Sequence, residues 1–321
     1  MNQPSVSVIV INWNLKETTA RCLRSLETLD YACHIITIDN GSCDGSADYI
    51  ATHFPQVDLI ALPTNIGFGA ACNYAIEGLL KNTDCDFIFL INNDALVDPH
   101  SLSFLVKEAS VNPIAGIFSP MIYSADRRDT IWYAGARRRR WVLAATDTGR
   151  GQLDRGQYNH RKEVDYVFGT AMLIRRSLIE KIGLFDNQFY LYLEDLDFCV
   201  RAQMEGYSLC FVPEAKVWHQ GSASTENYES LRRYHLVKST YFFLKKYSSP
   251  RNFLPLVVYW SLVNFRMLLH DFALGKLDVM KSHFLGIVSG FNDNGRAQHD
   301  PTLTKSRSSQ QKSTFKKHTN V

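Results

Sequence analysis

Three observations predict an α/β fold, a doubly wound and mostly parallel sheet: continuous apolar β-branched runs, helical periodicity between them, and polar residues where the runs end. The runs VSVIVI, HIITID and FIFLI do not alternate with polar residues, as expected of strands covered on both faces. Between them, LKETTARCLRSLETL and GAACNYAIEGLLKN carry apolar residues at helical spacing. Strand alternating with helix builds a parallel sheet with helices on both faces. Such sheets bind ligands beyond the carboxyl ends of their strands. Asn12-Trp13-Asn14, Asp39-Asn40 and Asn92-Asn93-Asp94 fall there.

From 124 to 165 the periodicity fades and Gly, Arg and Asp dominate, which predicts a long functional loop. VDYVFGTAMLIRRSLIEKIG then reads as a strand passing into a helix, followed by the acidic run Glu194-Asp195-Leu196-Asp197 and the strand-like LCFVPEAKVWHQGS. SLRRYHLVKSTYFFLKKY has helical spacing among basic residues. The apolar stretch Phe253 to Leu269 is interrupted by Pro255, Asn264 and Arg266, and a spanning helix needs about 20 mostly apolar residues, so the stretch is expected to lie at a membrane interface. The basic, aperiodic end predicts disorder. The expected division is a catalytic domain over 1–229, a basic amphipathic helical region over 230–300 and a disordered tail over 301–321.

The net charge of +3 conceals an asymmetry. Residues 1–229 carry 20 Lys and Arg against 28 Asp and Glu, net −8, whereas 230–321 carry 15 against 4, net +11. The two parts therefore favour different partners, an anionic membrane surface for the second. The seven cysteines are scattered, odd in number and form no CxxC pair, so neither a disulfide framework nor a structural zinc site is indicated. The start, MNQPSVSVIVINWN, has a strand pattern and no basic leader, so a cytoplasmic location is expected. No nucleic-acid partner is expected.

Asp94 at a strand end suffices chemically for Mg²⁺ or Mn²⁺, which take one or two protein carboxylates together with phosphate oxygens and water. Asn92 and Asn93 can donate to ribose or phosphate, although Asx-rich turns also merely cap backbone. Asp39 can accept from a base or a ribose hydroxyl, and Trp13 can stack on the base. Asp44 in DGS reads as a turn and helix cap. Asn65 and Gly67, in NIGFG, form a turn suited to close backbone approach. Glu194, Asp195 and Asp197 at a helix start repel one another unless cations, N–H groups or protons compensate. A carboxylate there can serve as general base for a sugar hydroxyl. A lone His219 is ordinarily structural, and the Arg137 to Arg140 run is either a phosphate grip or a solvated face.

The ordered series VSVIVINWN, IDNGSCDGS, NIGFGAACN, LINNDA, GTAMLIRR and GLFDNQFYLYLEDLDFCVRAQMEGY resembles inverting family 2 glycosyltransferases of the GT-A fold. It is most similar to the bacterial rhamnosyltransferase-like branch that builds O-antigen and cell-wall polysaccharide. The resemblance runs from about Val6 to Ser224 and continues weakly into FLGIVSGFNDNGRA. It implies that Ile11, Trp13 and Asp39 contact the nucleoside, with Asn12, Asn65, Gly67, Asn92 and Asn93 completing the donor set. Asn92-Asn93-Asp94 stands where the family has D-x-D, its first carboxylate replaced by Asn92; Asp94 matches the metal ligand and His219 a late metal-binding histidine. Asp195 matches the catalytic base, with Glu194 and Gly169 at the acceptor. The implied partners are a nucleotide-diphosphate sugar, foremost dTDP-L-rhamnose, with UDP-hexoses or UDP-galactofuranose as alternatives, and a polyprenyl-diphosphate-linked acceptor. A nucleotidyltransferase, which would want a Gly- and Lys-rich phosphate loop after the first strand, and a non-catalytic membrane-surface protein are the rival readings.

Overall fold

A computed structural model describes residues 3–221 and 229–292. The chain runs β1 (Val6–Asn12), α1 (Lys16–Glu27), β2 (His34–Asn40), α2 (Ser46–His53), β3 (Asp58–Leu62), α3 (Phe68–Asn82), β4 (Phe87–Asn92) and β5 (Ala95–Val97). It continues through α4 (Ser101–Val111), β6 (Ala115–Ser124), β7 (Ile131–Tyr133), β8 (Ala136–Arg139), β9 (Ala144–Asp147), β10 (Lys162–Val164), β11 (Ala171–Arg175) and α5 (Arg176–Ile182). Last come α6 (Glu194–Met204), β12 (Ser208–His219), α7 (Glu229–Tyr247), α8 (Phe253–Ala273) and α9 (Leu277–Asn292).

The main sheet has the order β10-β12-β6-β11-β4-β1-β2-β3, with β5 added to β12 and β7 to β6. β3, β2, β1 and β4 are parallel neighbours. β11 inserts antiparallel between β4 and β6. All seven residues of β1 are buried, and they divide by alternation: Val6, Val8 and Val10 join the core under α1, α2 and α4, while Ile9 and Ile11 join the one under α3, α5 and α6. A strand with a core on each face favours apolar residues at successive positions, which accounts for a run broken before its end only by the buried Ser7.

The region 124–165, expected to be a loop, instead contains β7, β8, β9 and β10, and β8 and β9 form a separate two-stranded sheet. Strands of three or four residues are too short to show a period, and β8 is the arginine run itself. The expected tail at 301–321 and the family-like segment from 293 onward lie outside the described residues.

α7 is fastened to the sheet domain through Asp197, which has no exposed side-chain surface. Its carboxylate receives Arg201 Nε at 2.8 Å from α6, and the Tyr247 hydroxyl and Lys246 Nζ, each at 2.7 Å, from α7. Ser239 Oγ also donates to the Leu191 carbonyl at 2.8 Å. α8 and α9 attach to α7 through a buried polar cluster in which Arg233 pairs with Asp271 and His283 bonds Asn264 at 2.9 Å. α8 spans 21 residues at mean hydropathy 1.3, long and apolar enough to cross a membrane by length and composition, and only 6% of that window is buried. Removing one partner of a buried ion pair costs about 3–5 kcal/mol. Asp197→Ala should therefore lower unfolding stability by about 3 kcal/mol in urea titration, whereas Asp186→Ala, which faces Lys246 at a more open position, should cost under about 1 kcal/mol.

Candidate active site

Parallel register brings the strand ends together: Asn12 pairs with Asp39, and Ile11 with Asn92. Asn12 is fully enclosed, and its amide joins three of the strand exits. Its Nδ2 donates to Asp39 Oδ1 at 2.6 Å and to Ser42 Oγ at 3.1 Å. Its Oδ1 accepts from Thr19 Oγ1 at 2.7 Å and from Asn93 Nδ2 at 3.2 Å. Asp39 Oδ2 in turn accepts the Ser42 N–H at 3.1 Å. Asn12 and Asp39, both expected at the donor, thus face the scaffold and not the cavity, because a polar side chain enclosed this deeply must be hydrogen-bonded by its neighbours. The other expected donor residues, Ile11, Trp13, Asn65, Gly67, Asn92 and Asn93, do line one cavity of about 690 Å³.

The turn before α3 is built around Asn65. Its Oδ1 accepts from Gly67 N–H at 2.9 Å, Asn40 Nδ2 at 3.0 Å and the Tyr190 hydroxyl at 3.0 Å. Gly67 has φ +91, and a Cβ there would lie 2.5 Å from the Tyr190 carbonyl oxygen. Only glycine allows that approach, which also lets Phe68 N–H donate to the same oxygen at 3.1 Å.

Asp94 and His219 meet because β5 pairs antiparallel with β12, placing His219 opposite Ala95. Both are buried, and His219 Nε2 lies 3.0 Å from Asp94 Oδ1, yet neither ring nitrogen of His219 makes a hydrogen bond. Two buried donor atoms 3.0 Å apart are spaced like adjacent ligands of an octahedral cation at about 2.1 Å. The residues therefore fit Mg²⁺ or Mn²⁺, with phosphate oxygens and water for the remaining positions. The edge of the Trp132 ring packs on His219 at 5.1 Å, and Arg150 lies over Trp132 at 4.7 Å.

At the opposite wall, the acidic run opens α6. Tyr192 and Leu193 precede it at φ 68 and 67, a left-handed pair that costs energy and that surrounding structure must hold in place. Asp195 Oδ2 accepts the Gly169 N–H and Oδ1 the Leu196 N–H, each at 2.8 Å, and the Tyr166 side chain also bonds it. Burial nevertheless outweighs these bonds and raises its pKa. Glu194 is driven well above the usual carboxylate range, first by burial and then by the charge of Asp195, and its Oε2 has no hydrogen-bond partner. Asp195, Glu194, Gly169, Asp94 and His219 all line the same cavity. Asp195 and the Asp94–His219 pair thus face one enclosed space.

Residues the sequence did not single out complete it. Tyr166 holds Asp195, and Arg232, His235, Tyr241, Tyr259 and Trp260 of α7 and α8 form a further wall. Tyr166 lies three residues before Gly169 in VDYVFGT, the one local cue. Nothing local marks α7 as a cavity wall.

The family model described as "Glycosyltransferase like family 2" matches residues 4–235. The chain belongs to this family of glycosyltransferases. The enzyme is 28% identical over 263 residues to an N-acetylglucosaminyl-diphospho-decaprenol L-rhamnosyltransferase of Mycobacterium tuberculosis, covering 74% of this chain and 83% of that one. It is 25% identical over 262 residues to the rhamnosyltransferase WbbL of Escherichia coli, covering 77% and 96%. Among solved structures, the mannosyltransferase PcManGT of Pyrobaculum calidifontis, in complex with GDP-Man and Mn²⁺, superposes at TM-score 0.56 and 16% identity over 90% of the glycosyltransferase and 86% of that protein. That likeness establishes the GT-A type fold.

The raised pKa of Glu194 has a signed consequence for stability. Below about pH 4 the acid is protonated in folded and unfolded chains alike. As pH rises, the unfolded chain ionises first, so stability falls until the folded pKa is passed. Glu194→Gln should raise the melting temperature by about 3 °C or more near pH 8, and the gain should vanish as pH approaches about 4, measured by calorimetry across pH.

Proposed function

We propose that this glycosyltransferase moves L-rhamnose from dTDP-L-rhamnose onto a lipid-diphosphate-linked glycan by a single displacement that inverts the anomeric centre. The observation that carries this reading is the shared cavity, with one held carboxylate, Asp195, at one wall and the Asp94–His219 pair at another. The relatives named above supply the sugar and the acceptor class.

Trp13 and Ile11 are positioned to pack on the base, and Asn92 and Asn93 to bond ribose or diphosphate. Asp94 and His219 would hold the divalent cation, which would offset charge developing on the departing diphosphate. Asp195, oriented by Gly169, Leu196 and Tyr166, takes the proton from the acceptor hydroxyl as that oxygen attacks the anomeric carbon. Its raised pKa makes it a stronger base than an exposed carboxylate. Glu194 positions the acceptor through its otherwise unsatisfied Oε2. The walls of the cavity limit competing attack by water.

α8 turns Asn264 and Asp271 toward α7 and α9 and leaves Val258, Leu262 and Phe265 exposed. Protein on one side and an apolar surface on the other suit a helix lying in the cytoplasmic membrane interface. Asp195→Asn should lower kcat by about 10²–10⁴-fold with donor affinity little changed, read as dTDP release from dTDP-L-rhamnose with a lipid-linked acceptor; wild-type levels of release in that variant would sink the assignment of the base. Replacing Val258, Leu262 and Phe265 together by Ser should move the enzyme from the membrane to the soluble fraction without loss of dTDP binding.

A further inference from the structure

The arginine run takes no part in the site described so far. β8 carries Arg137, Arg138 and Arg139 toward a turn formed by Arg140 to Leu143, and β9 returns from Ala144. Arg137 has a partner in Asp165 at 4.0 Å. Among the described residues, Arg138, Arg139 and Arg140 pair with no carboxylate, and Arg138 Nε is buried without a hydrogen bond. Burial, and then the charge of Arg140, depress the Arg138 pKa. The partly desolvated Arg138 and the neighbouring Arg140 oppose one another, which an anion between them would relieve.

Their position is fixed. Trp260 Nε1 donates to the Val142 carbonyl at 2.9 Å, fastening the hairpin turn to α8. Arg138, Arg139, Arg140, Trp141 and Val142 enclose, with Tyr259 of α8, a second concavity of about 490 Å³. Tyr259 and the returning residues Leu143 to Ala145 also line the catalytic cavity, so the two spaces adjoin. Trp141 is 71% exposed, beside the helix whose apolar face is bare.

We propose that this hairpin binds the diphosphate of the lipid-linked acceptor, with Arg138, Arg139 and Arg140 on its phosphate oxygens and Trp141 at the lipid–water boundary. Arginine suits the task because its planar fork meets phosphate oxygens in pairs, and Trp settles at headgroup level. A prenyl chain along α8, a diphosphate at the hairpin and a sugar passing Tyr259 toward Asp195 would place each part of one acceptor in surroundings of matching polarity. The proposal rests on the acceptor reading above.

Flotation of the full-length chain tests it with three kinds of vesicle: phosphatidylcholine alone, phosphatidylcholine with phosphatidylglycerol, and phosphatidylcholine with polyprenyl diphosphate at matched surface charge. Wild type should favour the diphosphate vesicles over the phosphatidylglycerol ones by about tenfold or more. Arg138→Gln/Arg139→Gln/Arg140→Gln should lose that preference, keep its binding to phosphatidylcholine through α8, and raise KM for a lipid-diphosphate-linked acceptor without changing donor KM. The corresponding triple Lys variant, which keeps the charge but not the fork, should recover phosphatidylglycerol binding and only part of the preference. Equal binding of wild type to both anionic vesicles, or an unchanged preference in the Gln variant, would overturn the hairpin site. If wild type binds diphosphate vesicles selectively yet transfers no sugar to a lipid-diphosphate acceptor, the acceptor reading fails instead.

Discussion

Three carboxylates buried at the first turn of α6 impose the condition that the rest of the site answers. Charges taken out of water must be compensated, and here the compensation is unequal. Asp197, three residues after Glu194, is fully paired with Arg201, Tyr247 and Lys246 and becomes the tie between α6 and α7. Asp195 receives two backbone N–H groups and a tyrosine hydroxyl, enough to orient it but not to cancel its burial. Glu194, at the cavity wall, is left with a buried, unbonded oxygen. A fold selected for stability alone would not retain that arrangement, since replacing an uncompensated buried charge is generally stabilising. The left-handed backbone at Tyr192 and Leu193 adds to the cost and is held by Phe68 N–H on Tyr190 and Ser239 on Leu191.

The same condition explains why the C-terminal helices are more than an attachment. α7 supplies Lys246 and the Tyr247 hydroxyl to Asp197, and with α8 it closes a wall of the cavity containing Asp195. α8 thus offers an apolar outer face and also lines the cavity. An acceptor with a hydrophobic tail and a polar head can meet both in one bound position. α7 and α8 line the cavity that holds Asp195, so residues on both sides of position 229 form its walls.

The sheet was legible because strands covered on both faces are predominantly apolar at successive positions, and β1, β2 and β4 announce themselves by that rule. Asp94 and Asp195 were legible because each follows a clear local signal, the end of an apolar run or the start of a helix. His219 became a partner of Asp94 only through the pairing of β12 with β5, a long-range contact that no local pattern encodes. Asn12 and Asp39 looked like ligand contacts because they occupy strand exits; whether an amide at such an exit faces ligand or scaffold depends on its neighbours, here Thr19, Ser42 and Asn93. The short strands between 124 and 165 escaped notice because their pairing, and not their periodicity, makes them strands. The aromatic and basic pattern of α7 suits a membrane surface and a cavity wall equally well.

The central claim is a single displacement with Asp195 as the base and the diphosphate leaving at the Asp94–His219 side. The anomeric configuration of the product, read by NMR of the isolated glycan after transfer from a donor of known configuration, tests it most directly. The account predicts a linkage of configuration opposite to that of the donor; a linkage that retains the donor configuration would contradict it.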